Sequence, residues 1–284
     1  MQQFTYDDAG NRTRLVESGT RSKDVTYTFN EMNQLVNATD GSSWTYDSLG
    51  NMIGMSDTAD NWEYFYSPQN RLLSIEKNTA EQAKYQYDFQ GRRIFQDAPG
   101  DSLRFAWDGW QNLADYEPDG GVKKLFITGT ELDEYVMQEN AAGQALWFLQ
   151  DKVNSVVGIV DSAGALAGWN RYETFGAILD SSGTCGLRQS FTGREIGVAG
   201  SIYYRLRWYL TPLAVFAAQD PIGYLSGDIH PYRYVWNSPC AWQDPFGLTA
   251  AQKTPATQET TIGPVPYPIP VPPSNWDRIK EIFM

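Results

Sequence analysis

One motif returns six times in the first third of the chain. It reads "FTYDDAGNRTRL" from Phe4, "YTFNEMNQLV" from Tyr27, "WTYDSLGNMI" from Trp44, "EYFYSPQNRLL" from Glu63, "YQYDFQGRRI" from Tyr85 and "RFAWDGWQNL" from Arg104. The shared frame is aromatic-x-aromatic-Asp-x-x-Gly-Asn. Its second aromatic falls at Tyr6, Phe29, Tyr46, Tyr66, Tyr87 and Trp107, giving intervals of 23, 17, 20, 21 and 20 residues. A fixed period of this length is the signature of a repeat architecture. Aromatics two apart share one face of a strand, and an Asp after them starts a turn by bonding the backbone ahead of it, as expected at Asp7, Asp47, Asp88 and Asp108. Gly10, Gly50 and Gly91 then stand where a positive φ is needed, and Asn33 and Asn70 replace glycine in two other units because asparagine tolerates that region next best. Each unit is therefore a strand, a turn and a returning strand. A single hairpin is barely stable in water, so the units must pair side by side into one long sheet.

Composition agrees with an all-β chain. Aromatics make up 14% of the 284 residues, with 17 Tyr, 10 Trp and 13 Phe. The net charge of -12 opposes nucleic acid and anionic lipid, both of which call for a basic surface. No stretch has the apolar length for membrane insertion, and the first residues carry no basic and apolar leader of the secretory kind. A single histidine, His230, read as a loop residue beside Pro231, leaves no imidazole triad and no multi-His metal site. Cys185 and Cys240 allow at most one bridge, and both are read as free thiols. No cofactor and no metal is called for.

The repeats resemble the YD repeats of the Rhs family, shared with the C components of Tc toxins and with teneurins. The likeness continues through "FLQDKVNSVVGIVDSAGALAGWNRYETFGAIL" (148–179), which ends in the family's Tyr-x-x-Phe-Gly step, and "FTGREIGVAGSIYYRLRWYLTPLAVFAAQDPIG" (191–223), which resembles the Rhs-associated core. It covers residues 4–248. The resemblance implies hairpins coiling into a partial β-cocoon over residues 1–140, a core with a self-cutting plug over 141–248, and a variable, disordered, Pro-rich segment over 249–284. Two departures stand out: Leu210 and Thr211 precede Pro212 where the family has Asp-Pro, and Ala214-Val215-Phe216 replaces Gly-Arg-Phe.

Two Asp-Pro-x-Gly turns bracket the end of the core. The family resemblance implies an intramolecular aspartic protease, acting once per molecule, with Asp220 and Asp244 as its carboxylates. Two carboxylates that cannot both ionise divide into an acid and a base. Pro221 and Gly223 in the first turn, and Pro245 and Gly247 in the second, would hold them in matching geometry. The expected cut falls between Leu248 and Thr249, four residues past Asp244, where the composition turns Pro-rich. Asp228 is a weaker alternative carboxylate, and Arg233 a candidate partner for one. Asp-Pro-x-Gly is also an ordinary β-turn sequence, in which Asp only bonds its neighbours' backbone. The expected partners are the remaining shell of a longer Rhs protein or the chain's own C-terminal segment, with immunity or secretion-system proteins. The expected setting is secreted or envelope-associated, as part of a larger assembly. Since 36 residues follow Leu248, no toxic activity is expected of this chain itself. The alternative function is a cell-surface adhesion or carbohydrate-binding module without cleavage, using the aromatic ladder; packing is the commoner role of such a ladder.

Overall fold

A computed structural model describes residues 1–19, 22–183, 187–248 and 250–252. Cys185, Thr249 and the expected disordered tail from 253 onward lie outside the described residues. The repeat units fold as their aromatic spacing requires. In the third, strand Ser43–Tyr46 enters a turn at Asp47 and returns as Met52–Ser56. The Asp47 carboxylate accepts the N–H groups of Leu49 and Asn51, both at 2.9 Å, while Gly50 closes the turn at φ +78°. Asn30 and Asp88 cap the second and fifth turns in the same way. The positive φ expected of Asn33 and Asn70 is present, at 57° and 58°. A register shift beside the second aromatic, as at Thr28/Phe29, Thr45/Tyr46 and Phe65/Tyr66, places a bulge where each strand meets its turn and bends the sheet there.

Eighteen strands, from Gln2–Tyr6 to Ile178–Gly183, make one antiparallel sheet. Each pairs with its neighbour in sequence, and the sheet passes residue 140 without a break. The sheet coils until its ends touch. Phe4 of the first strand meets Phe175, in the last hairpin turn, edge to face at 5.3 Å, and the Thr174 N–H donates to the Gln2 side chain at 3.4 Å. The coil is the partial β-cocoon expected from the repeats.

A second sheet of four short strands, Glu195–Ile196, Ser201–Tyr204, Arg207–Leu210 and Val215–Phe216, packs on the face that bears the repeat aromatics. Tyr203, Trp208, Leu210 and Ala217 of this core join Tyr27, Trp44, Tyr64 and Tyr85 in one hydrophobic cluster. These rings of the ladder are thus buried against the core. A further cluster of Tyr204, Tyr209, Phe216 and Tyr234 forms the centre of the core itself.

The core is latched to the repeat turns by hydrogen bonds to glycine carbonyls. Asn237 Nδ2 donates to Gly10 at 2.9 Å, Tyr232 Oη to Gly50 at 2.9 Å and Tyr203 Oη to Gly91 at 3.2 Å. A Cβ on Gly50 would lie 2.5 Å from the Gln219 amide nitrogen, so close approach as well as φ demands glycine there. The intervening asparagine turns do something else. Asn33 accepts from Asn11 at 2.9 Å and Asn70 from Asn51 at 3.0 Å, tying one repeat to the next. His230 sits in a loop as expected, yet it is 3% exposed. Its Nδ1 accepts the Tyr232 N–H at 3.1 Å, so its Nε2 donates to Asn11 Oδ1 at 2.7 Å, a neutral imidazole wedged between core and shell.

Candidate functional site

Both Asp-Pro-x-Gly turns form, and in both the aspartate bonds its own backbone. Asp220 Oδ1 accepts the Ile222 N–H at 3.0 Å. Asp244 Oδ1 accepts the Leu248 N–H at 2.9 Å. The turn role therefore accounts for one oxygen of each carboxylate. The other oxygen of each is turned toward the same cation: Arg207 Nη2 lies 3.1 Å from Asp220 Oδ2 and 3.4 Å from Asp244 Oδ2. The two residues, 24 apart in sequence, are brought together around one nitrogen.

Arg207 comes from a core strand in which all four residues, Arg-Trp-Tyr-Leu, are buried. Its guanidinium lies over the Phe216 ring, 3.6 Å from the centroid. Beyond the two carboxylates it donates through Nη1 to the Pro231 carbonyl at 3.1 Å and through Nε to the carbonyl of Gly247. Burial pushes its proton affinity down and the two carboxylates push it up. A cation is thus held in place by both aspartates and by the peptide just before the expected cut.

The two turns differ in their surroundings. Pro221 and Gly223 are exposed, whereas Phe246, Gly247 and Leu248 are buried. Gly223 (φ 56°) has open space around its α-carbon, but a Cβ on Gly247 (φ 69°) would come within 2.8 Å of the Tyr204 carbonyl. Burial raises the Asp220 carboxyl to about 6; Arg207 pulls it down and Asp244 adds to the rise. One member of the pair can consequently hold a proton near neutral pH.

The segment from Asp244 to Leu248 is gripped at every step. Arg194 Nη1 donates to the Pro245 carbonyl at 3.1 Å, and Arg205 Nη1 donates to the same oxygen. Both arginines also bind Asp133, which is 2% exposed and belongs to a turn of the large sheet. Past the expected cut, Ala251–Gln252 pairs antiparallel with Trp242–Gln243, on the near side of Asp244. Thr249, the far side of the expected cut, lies outside the described residues.

Asp228 does not join the pair. It is bound by Arg233 at 2.6 and 2.9 Å, which gives Arg233 a carboxylate, though neither of the two in the site. The cation at the carboxylates is Arg207, which lies outside the altered Gly-Arg-Phe step. Sequence reasoning passed over Arg207, Arg194, Arg205 and Asp133. The available signal was a charge inside "RWYL", a run whose neighbours are all large and apolar. Cys240 is a free, exposed thiol.

The comparisons with known proteins agree with this architecture. The Teneurin YD-shell family profile matches residues 1–194. Three relatives are a tRNA3(Ser)-specific nuclease WapA of Bacillus spizizenii, 28% identical over 86% of this chain and 11% of its own length, the toxin protein Tse5 of Pseudomonas aeruginosa, 26% identical over 73% and 19%, and a double-stranded DNA deaminase toxin A of Burkholderia cenocepacia, 25% identical over 94% and 21%. The chain thus spans about a fifth or less of the relatives it matches. Among solved structures, the TcdB2-TccC3 complex superposes with a TM-score of 0.53 at 15% identity, over 87% of this chain and 17% of the other. The Photorhabdus luminescens Tc holotoxin pore gives 0.54 at 15% identity, over 90% and 17%. The repeat frame, the coiled sheet and the profile match together make this chain a member of the YD-repeat shell family, to which teneurins and Rhs toxins belong.

Proposed function

We propose that this chain is part of an Rhs-type shell that encapsulates a toxin, and that its core cuts its own backbone between Leu248 and Thr249. The observation that carries the cut is one buried guanidinium shared by Asp220 and Asp244, with Asp244 bonded directly to the N–H of Leu248. In this reading Asp220 is the acid, since burial keeps its proton to about pH 6, and Asp244 is the base. Water adds to the Leu248 carbonyl carbon as Asp244 takes its proton. The C–N bond then breaks, with the electron pair leaving on the Thr249 nitrogen, which Asp220 protonates. The products are a carboxylate at Leu248 and a free amine at Thr249. Nothing must diffuse in except water, because the substrate is already held.

The division of labour follows: repeats in 1–140, core and plug in 141–248, a variable segment in 249–284. Partners are the rest of a longer Rhs shell, with immunity and delivery proteins, in a secreted or envelope-associated assembly. Among the described residues no helix is long and apolar enough to cross a membrane. The test is the intact mass of the purified chain beside Asp220→Asn and Asp244→Asn, kept out of strong acid because Asp-Pro bonds are labile there. A mass ending at Leu248 in the parent and full length in both variants is the expected result. Full length in all three would leave the aspartates as turn residues and overturn the reading.

A further inference from the structure

The peptide that is cut in the self-cutting reading is held by two different parts of the molecule. Downstream, the core grips it: Arg207 binds the Gly247 carbonyl and Asp244 binds the Leu248 N–H. Upstream, the large repeat sheet supplies the grip. Asp133 stands in the turn between the sheet strands Val122–Thr128 and Tyr135–Asn140. It receives the Arg205 fork on both oxygens, at 2.9 and 3.2 Å, together with Arg194 on Oδ1. Arg194 then has its Nη1 left for the Pro245 carbonyl, and Arg205 shares its Nη1 between Asp133 and that same carbonyl. A second sheet residue completes the seat. The Trp110 ring meets Phe246 edge to face at 5.6 Å, its carbonyl takes Arg205 at 2.8 Å, and the Arg205 guanidinium lies 5.1 Å from the centre of the Phe246 ring.

The backbone is bent to reach this arrangement. Asp133, Thr192 and Arg205 have φ of 65°, 52° and 57°, a region non-glycine residues seldom occupy. Gly193 passes so close to Asp133 that a Cβ would lie 2.4 Å from its carbonyl oxygen. Such conformations persist where the surroundings over-determine them, and they gather at functional sites. Two buried cations on one carboxylate is also a poor way to gain stability, since desolvation offsets the attraction. What the cluster does secure is position: it fixes one carbonyl, three residues before the bond that would break.

We propose that Asp133 and Trp110 are positioning residues for the self-cutting reaction, Asp133 acting through Arg194 and Arg205 and Trp110 through Phe246, so that cutting waits until the repeat sheet has folded around the core. The inference rests on the self-cutting reading. It implies a sequence of events: the shell closes first, and only then does the chain part. A core without its sheet would carry both aspartates and leave the bond out of their reach.

The test follows the fraction of full chain cut, by intact mass, over time after cell-free synthesis. Asp133→Asn, Asp133→Glu and Phe246→Leu are compared with the parent, each checked for folding by its thermal midpoint. Asp133→Asn is expected to cut about a hundredfold more slowly, the scale set by a misplacement of an ångström at a reacting centre. Asp133→Glu, which keeps the charge, recovers most of that rate, a rescue that a loss of general stability would not produce. Phe246→Leu keeps the burial but loses the ring contact, and slows cutting about tenfold. If Asp133→Asn does not fold, Phe246→Leu decides. Folded variants that cut at the parent rate overturn this inference alone, while a parent that stays whole overturns the self-cutting reading and this inference with it.

Discussion

Two tyrosines in the same cluster make opposite predictions for the same chemical change. Tyr203, 1% exposed, places its Oη between the Arg93 N–H at 2.9 Å and the Gly91 carbonyl at 3.2 Å. Tyr203→Phe keeps the ring on Trp208 and removes only the bridging oxygen, leaving a buried donor and a buried acceptor without it. Each orphaned group costs about 1–3 kcal/mol, so the pair is expected to cost about 2–6 kcal/mol. Tyr85, 2% exposed, stacks on the same Trp208 at 4.6 Å, but its Oη has no hydrogen-bond partner among the described residues. Tyr85→Phe relieves a desolvated hydroxyl and is expected to be neutral or stabilising by about 1 kcal/mol. In a chain of this size each kcal/mol moves the melting temperature by about 2 °C. Thermal unfolding should therefore show Tyr203→Phe down by roughly 4–12 °C and Tyr85→Phe level or slightly up. Equal shifts in the two variants would refute the claim that the Tyr203 hydroxyl latches core to shell.

The remaining predictions concern charge. Self-cutting should be fastest in mild acid and fall as pH rises through about 6, because the Asp220 proton is lost there; a rate that climbs steadily from pH 5 to 8 would contradict its role as acid. His230 is held neutral by burial, with its proton affinity lowered to about 4, so the unfolded chain takes up a proton first and stability drops as pH falls from about 6.5 toward 4. His230→Gln should remove that acid loss, worth about 3 kcal/mol at its fullest, as read from melting curves across that range. Arg207→Leu leaves two buried carboxylates without their cation and should cost about 3–5 kcal/mol, measured by denaturant unfolding; a loss under 1 kcal/mol would mean that the shared guanidinium is not what holds the two turns together.

How much could be read from sequence depended on whether the chemistry was local. The repeat turns were legible because Asp47, Asn30 and Asp88 bond backbone only two to four residues ahead, a range that a motif can carry. The sixth unit shows the limit of that reading. Its "WDGW" resembles the others, yet Asp108 pairs directly with Gln111 across a two-residue loop, because Gly109 follows the aspartate immediately. Asp220 and Asp244 were legible as a pair through their repeated Asp-Pro-x-Gly spelling. The cations around them were not, since Arg207 reaches Asp244 across 37 residues and Arg205 reaches Asp133 across 72. No local pattern records such pairings. The burial of His230 was hidden for the same reason: its partner, Asn11, lies 219 residues away.

The alternation of turns along the shell has a consequence for how such a chain can lengthen or shorten. Gly10, Gly50 and Gly91 receive the core, while Asn33 and Asn70 between them fasten neighbouring units. The docking surface therefore has a period of two hairpin units, about forty residues, although the motif repeats every twenty or so. Loss or duplication of a single unit would set an asparagine where a core side chain needs the bare backbone of a glycine, and would leave a glycine where the neighbouring asparagine needs an oxygen. Under the core, repeats of this kind should be gained and lost in twos.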